Sequence, residues 1–319
     1  MNSTRPVYRI GIAAYPLAQK AAVYGLQDLF ETASRFEAEH TSSHPQLLCD
    51  IIEDFNALKP EQYTYTTIIL PPSLDGGSSA EIDGKLLSWI TQQHEKGTLM
   101  CSVCAGAFPL AASGLLDNRR ATTHWALTQS FKDRFPNVKL DPDRLIIDDG
   151  DIITAGGVMA WTDLGLKLIA RFLGPAIMLE TARYFLIDPG EREQSYYNLF
   201  SPNLSHGDTA ILKAQHWLQA QYSGPLTVPE MASTAGLEER TFVRRFLTAT
   251  GLNPSKYLQN LRIAKARELL ELSPSSIEHI AMQVGYFDIS AFRKLFHKIV
   301  GLTPRDYRNR FSQDQVKDK

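Results

Sequence analysis

Apolar positions in the first 190 residues of this chain follow two alternating periods. Residues 8–15 read as a buried strand, and a stretch at helical spacing follows through Leu26, Leu29, Phe30 and Ala33. Residues 66–70 predict a second strand, closed by Pro71 and Pro72, which cannot donate to a sheet ladder. Residues 86–94 predict a helix and 99–103 a third strand, followed by a glycine-containing turn and a short helix. Residues 145–148 and 151–154 flank Asp149-Gly150, a hairpin signal. Residues 161–172 and 176–186 then predict two helices, the second opened by Gly174-Pro175. Strands alternating with helices imply an α/β layer around a mainly parallel sheet. From Pro189 to Asp208 the apolar periodicity stops in a polar, turn-rich run. The pattern therefore predicts a domain at 1–190, a linker at 191–208 and a second domain at 209–319.

Beyond the linker only the helical period remains, and it is duplicated. Phe242/Phe292, Phe246/Phe296, Gly251/Gly301, Leu252/Leu302, Pro254/Pro304 and Tyr257/Tyr307 each differ by fifty positions. Upstream the offset is 49, pairing Ala232 with Ala281 and Gly236 with Gly285. Each copy reads as a helix, a glycine turn and a second helix: 228–235 before 239–250, and 277–284, capped by Ser276, before 289–300. Phenylalanines four apart must face a core, which turns Arg240, Val243 and Arg244 outward in the first copy and Ser290, Arg293, Lys294 and His297 in the second. Residues 254–272 read as one connecting helix with Ile263, Ala266 and Leu270 on a face; at about 1.5 Å per residue such a rod spaces two heads near one turn of duplex DNA. On it, Arg262 and Arg267 are expected to make internal ion pairs.

Charge separates the same two regions. Residues 1–208 hold 17 Lys+Arg against 25 Asp+Glu, whereas 209–319 hold 16 against 10, so an acidic body carries a basic module suited to phosphates. No run of about eighteen apolar residues occurs and the first residues lack a leader pattern, which predicts a soluble cytoplasmic protein with no membrane partner. Three cysteines, Cys49, Cys101 and Cys104, form neither a disulfide framework nor a four-ligand metal set, and no metal or cofactor is expected.

The second domain resembles the AraC/XylS family, through Arg244-Arg245-Phe246, Gly251-Leu252-Asn253-Pro254, residues 262–267 (RIAKAR), Ile280-Ala281 with Gly285-Tyr286, and residues 301–307 (GLTPRDY). The resemblance implies an all-α domain of two helix-turn-helix units that reads double-stranded promoter DNA. On that reading Arg240 and Arg244 contact base edges, and Arg245, Arg293, Lys294 and Lys298 serve bases or phosphates.

In the first domain, residues 99–107 (LMCSVCAGA) read as strand, small-residue elbow and helix, placing Cys104 at a helix N-terminus where its thiol pKa should fall. Residues 121–125 (ATTHW) supply His124, an imidazole able to pair with that thiol. Residues 104–107 through 110–125, with Ala155-Gly156-Gly157 and Asp163, resemble the DJ-1/PfpI superfamily, related to class I glutamine amidotransferases. This implies a flavodoxin-like α/β sandwich. In this order the two domains are similar to the GlxA-like regulators, in which the amidotransferase-like domain is a sensor, often of nitrogenous metabolites. The resemblance implies a homodimer, and contact with RNA polymerase if the protein activates transcription.

Two departures bear on chemistry. Ala22 stands where the enzymes of the superfamily carry an acidic residue, and Pro72-Ser73 stands where they carry Gly-Gly, so a proton partner and a backbone donor are missing. Cys104 and His124 are thus read as vestigial rather than catalytic. An effector cavity is expected around Tyr15, Cys104, Ala105, His124, Trp161 and Asp163, with the aromatic rings as a wall for a cation. A cysteine-dependent hydrolase or hydratase, and a redox sensor working through Cys104, are the alternatives.

Overall fold

The computed structural model describes residues 6–40, 45–55, 64–74, 82–189, 193–198, 200 and 202–312. The chain folds as two compact units, Met1–Gln194 and Ser195–Lys319. The first runs β1 (Val7–Ala13), α1 (Lys20–His40), β2 (Gln46–Ile52), β3 (Thr67–Leu70), α2 (Gly84–Glu95), β4 (Leu99–Val103), α3 (Ala107–Ala112), β5 (Arg120–Ala121), α4 (Thr128–Arg134), β6 (Lys139–Leu140), β7 (Ile146–Asp148), β8 (Ile152–Ala155), α5 (Trp161–Leu173) and α6 (Pro175–Tyr184). The main sheet has the order β2-β1-β3-β4-β8-β7. Its pairs are parallel except β7 with β8, which form the hairpin expected around Asp149-Gly150, with Gly150 at φ +93°.

Successive strand residues point to opposite faces, and both faces are covered. Cys101, Val103, Ile153 and Ala155 join Leu26, Phe30, Leu164 and Ile169 beneath α1 and α5. Met100, Ile68, Leu70 and Ile152 join Trp89, Ile90, Phe108 and Leu110 beneath α2 and α3. The result is the mainly parallel α/β sandwich. Periodicity missed β2, since Asp50 interrupts its apolar run. There the carboxylate pairs with Arg9 of the neighbouring β1, and the edge position of β2 tolerates both charges. The short β5–β6 pair and α4 were not foreseen either.

The second unit is helical among its described residues: α7 (Thr209–Gln221), α8 (Val228–Ala235), α9 (Glu239–Thr250), α10 (Pro254–Leu272), α11 (Ile277–Gln283), α12 (Ile289–Val300) and α13 (Pro304–Phe311). Local chemistry marks the helix starts. Thr227 and Glu230 form a capping box on α8, Ser276 accepts from the His279 N–H, and Asp288 accepts from the Ser290 and Ala291 N–H groups.

The connecting helix α10 serves two cores. Tyr257, Leu258 and Leu261 pack with Phe242 and Phe246, while Ile263, Ala266 and Leu270 pack with Phe292 and Phe296. At 3.6 residues per turn these two sets point about 170° apart, so the rod carries one head on each side. Periodicity had exposed only the second set. Among the described residues the arginines of α10, expected to make internal ion pairs, are instead hydrogen-bonded to uncharged acceptors. Arg262 donates to the carbonyls of Tyr222, Gly224 and Gly285, and Arg267 to those of Tyr196 and Asn198 and to the Tyr307 hydroxyl. No helix among the described residues is long and apolar enough to cross a membrane.

Candidate nucleic-acid interface and sensor site

In each head a pair of phenylalanines orients the second helix. Phe242 and Phe246, both fully buried, lie tilted to each other with centroids 5.2 Å apart, which leaves Arg240 and Arg244 exposed on the opposite side of α9. Val243, expected on that outward stripe, is instead half-buried and packs against the same apolar core, as its position about 80° from the two rings on the helix dictates. Phe292 and Phe296, tilted at 5.7 Å, orient α12 in the same way and expose Ser290, Arg293, Lys294, His297 and Lys298. A groove of about 560 Å³ brings Arg293, Lys294, His297 and Lys298 together with Arg305. Sequence reasoning left Arg305 out of the interface. The signal was present in Thr303-Pro304, a cap and first-turn proline that start α13 and put Arg305 at its N-terminus beside α12.

Two of the expected cations already hold carboxylates. Arg245 lies off the exposed stripe and grips Asp208 with both Nε (2.9 Å) and Nη2 (2.7 Å). Asp208 also caps α7 through the Ile211 N–H, so this pair braces α7 against α9. The Arg245 guanidinium and the capped N–H hold the Asp208 carboxyl below its ordinary pKa. Arg293 reaches Glu278 on α11 at 2.6 Å, with both side chains half exposed. An exposed pair of this kind contributes about 0–1 kcal/mol, little enough for a phosphate to displace it.

In the first unit Cys104 occupies the elbow that the small residues implied. It sits at φ +55°, a strained backbone for any residue but glycine, directly between β4 and the turn that leads into α3. Thr123 fastens the elbow by donating its hydroxyl to the Cys104 carbonyl at 2.8 Å. The expected drop in thiol pKa is overturned. Cys104 is 3 % exposed, and burial pushes its thiol up to about 11 against the weaker opposing effect of the Ala105 N–H. A helix-end field of this size does not offset the loss of water around a thiolate.

His124 does not offset it either. Among the described residues no hydrogen bond joins it to Cys104; its Nδ1 accepts from the Ala126 N–H at 3.1 Å, and burial lowers its pKa. Ala22 is fully buried in α1 and supplies no carboxylate. Iodoacetamide labelling of Cys104 in the native protein, followed by peptide mass spectrometry, is therefore expected to be slow at neutral pH. It should quicken roughly tenfold per pH unit towards pH 11, as the thiolate fraction grows. A rate already at its plateau at neutral pH would instead reveal an activated nucleophile.

The remaining expected effector residues separate. Cys104, Ala105 and Trp161 border the same apolar cluster. The Trp161 indole fits against α1 where a Cβ on Gly25 would fall 2.5 Å from the ring, and its Nε1 is buried without an acceptor among the described residues. Tyr15 packs with the opposite layer and donates its hydroxyl to the Pro71 carbonyl. Asp163 accepts from the Thr162 hydroxyl at 3.2 Å and lines a different cavity of about 390 Å³ with Arg144, Asp148, Lys167 and Glu193.

Two family models match the chain. The helix-turn-helix domain family matches residues 231–310 and the DJ-1/PfpI family residues 37–171. The HTH-type transcriptional regulator GlxA of Rhizobium meliloti is 31% identical over 219 residues, covering 67% of this chain and 66% of its own. The HTH-type transcriptional regulators CdhR and ArgR of Pseudomonas aeruginosa are 27% and 29% identical, covering 73% and 69% of this chain and 66% and 67% of their own. The chain thus spans about two thirds of the length of the curated relatives it matches. With a DJ-1/PfpI domain followed by an AraC-type helix-turn-helix domain, the chain belongs to the AraC-family regulators of the GlxA-like architecture.

Proposed function

We propose that this protein is a sequence-specific transcriptional regulator in which 209–319 read promoter DNA and 1–190 sense a small nitrogenous metabolite. The observation that carries the reading is the repeated geometry of α9 and α12. Each is anchored by two buried phenylalanines and turns a cationic stripe to solvent, and both are tied to one rod. Arg240 and Arg244 are assigned to base edges in one groove. Ser290, Arg293, Lys294, His297 and Lys298, joined by Arg305, serve the next. The names of the relatives, transcriptional regulators throughout, point the same way.

The sensor half is a retained elbow without an activated nucleophile. A protonated, buried Cys104 and a His124 occupied by backbone favour binding over turnover. Paired half-sites and a homodimer fit this build, and RNA polymerase would be a partner of an activator. A second reading, a cysteine-dependent hydrolase, draws on the φ of +55° at Cys104, the backbone an exposed nucleophile would need.

The test is selection of bound fragments from a random-sequence pool, followed by footprinting with and without amino acids and quaternary amines. Two protected segments about one helical turn apart per subunit are expected, with affinity falling steeply as salt rises. A member of those metabolite classes should shift the binding midpoint. Recovery of no common sequence would remove the regulator reading and leave the catalytic one.

A further inference from the structure

Residues 193–198 fall in the stretch whose sequence reads as linker, yet they are anchored in both units. In the first unit Gln194 is 2 % exposed. Its Nε2 donates to the Thr123 carbonyl (2.9 Å), the Arg144 carbonyl (3.0 Å) and the Thr122 hydroxyl (3.1 Å), while its Oε1 accepts from the Trp125 N–H at 3.3 Å. Gly156 leaves room for this carboxamide, since a Cβ there would fall 1.9 Å from Nε2. One side chain therefore ties the turn that carries His124, at 122–125, to the segment that enters β7 at Arg144. Glu193 adds an ion pair to Arg144 at 2.6 Å.

In the second unit the carbonyls of Tyr196 and Asn198 accept from Arg267, which is 5 % exposed on α10. The Tyr196 ring lies against Gly301, the αL residue that ends α12, where a Cβ would fall 2.6 Å from the ring. Arg310 of α13 covers the rings of Tyr196 and Tyr197 at 5.7 and 5.8 Å. Only Ser195 separates Gln194 from Tyr196 in the chain. Each anchor is costly to leave half made, because a buried guanidinium or carboxamide stripped of its acceptors stays desolvated and unpaired.

We propose that residues 193–198 form a strap through which occupancy of the turn around His124 sets the second recognition helix, with Gln194 and Arg267 as its positioning residues. A ligand that moves 122–125 takes acceptors from Gln194. The displacement reaches Tyr196 after one residue and so the end of α12, whereas the tie of α9 runs from Arg245 to Asp208, further along the chain. This rests on the regulator reading, yet its test needs no DNA. The coupling is reciprocal, as any linkage between two sites must be.

The test is hydrogen exchange by mass spectrometry on the full chain. In Gln194→Ala the amides of Ile289–Val300 are expected to exchange about tenfold faster while those of Glu239–Thr250 keep their wild-type rates. Insertion of Gly-Ser-Gly-Ser after Ser195 should confine the effect of Gln194→Ala to the first unit. Unchanged α12 amides in Gln194→Ala, or an equal acceleration with the insertion present, would overturn the strap. If Gln194→Ala fails to fold in the first unit, Arg267→Lys decides alone. Faster exchange at 122–125 supports the proposal and unchanged exchange there refutes it. Failure of the strap leaves the footprinting result untouched, and the reverse also holds.

Discussion

Arg244→Ala is expected to weaken site-specific retention of a selected DNA fragment by roughly 5–150-fold while circular dichroism stays at the wild-type level. Arg244 is exposed on α9, on the side opposite Phe242 and Phe246, and its guanidinium holds no partner among the described residues. Removing it therefore disturbs no packing. A bidentate arginine on guanine contributes about 1–3 kcal/mol of discrimination, which is a loss of roughly 5–150-fold in specific affinity. Competition gel shifts at physiological salt measure it, and an affinity unchanged from wild type would defeat the assignment. Weakening that is equal on all sequences, with a salt slope reduced by about one, would move Arg244 to a phosphate instead. Its neighbour makes the comparison: Arg245 is gripped by Asp208, so Arg245→Ala should show itself first in the α7–α9 brace.

Phe296→Ala should have the larger structural effect and a diagnostic footprint. The ring is fully buried and packs edge-on against Tyr307 at 5.6 Å. Truncating a buried phenylalanine costs about 3–5 kcal/mol, a large share of the stability of a small helical head. The core around Phe296 is distinct from the core around Phe246, and each draws its own side of α10. The expected footprint is thus one protected segment rather than two, with the surviving segment the one that Arg244→Ala weakens. Phe246→Ala should give the mirror result. Loss of both segments in Phe296→Ala would show instead that the heads fold as one cooperative body.

How much of the site was legible follows from the range of each signal. Residue spacing located the two heads and the phenylalanine faces that they bury, because a period of 3.6 and a glycine turn are written within a dozen neighbours. Helices α8, α9, α10 and α12 have the predicted bounds for the same reason, their caps and prolines standing beside them. Arg305 escaped because its nearness to Lys294 and His297 depends on how α13 folds back against α12. Strand β2 escaped because Asp50 makes sense only beside Arg9, forty-one residues away.

By itself, then, the order of residues determined the duplicated helix-turn-helix, the division between acidic and basic regions and the small-residue elbow at Cys104. All are local or compositional properties that survive without knowing what lies next to what. Tertiary structure alone decided which charged groups are free and which are spent, as Arg245 on Asp208 and Arg267 on the Tyr196 and Asn198 carbonyls show. It also decided the state of Cys104, whose thiol is held at about 11 by the apolar layer closing over it. Protonation and pairing are set by water excluded and partners met in space, and both come from elements that the chain brings together only on folding.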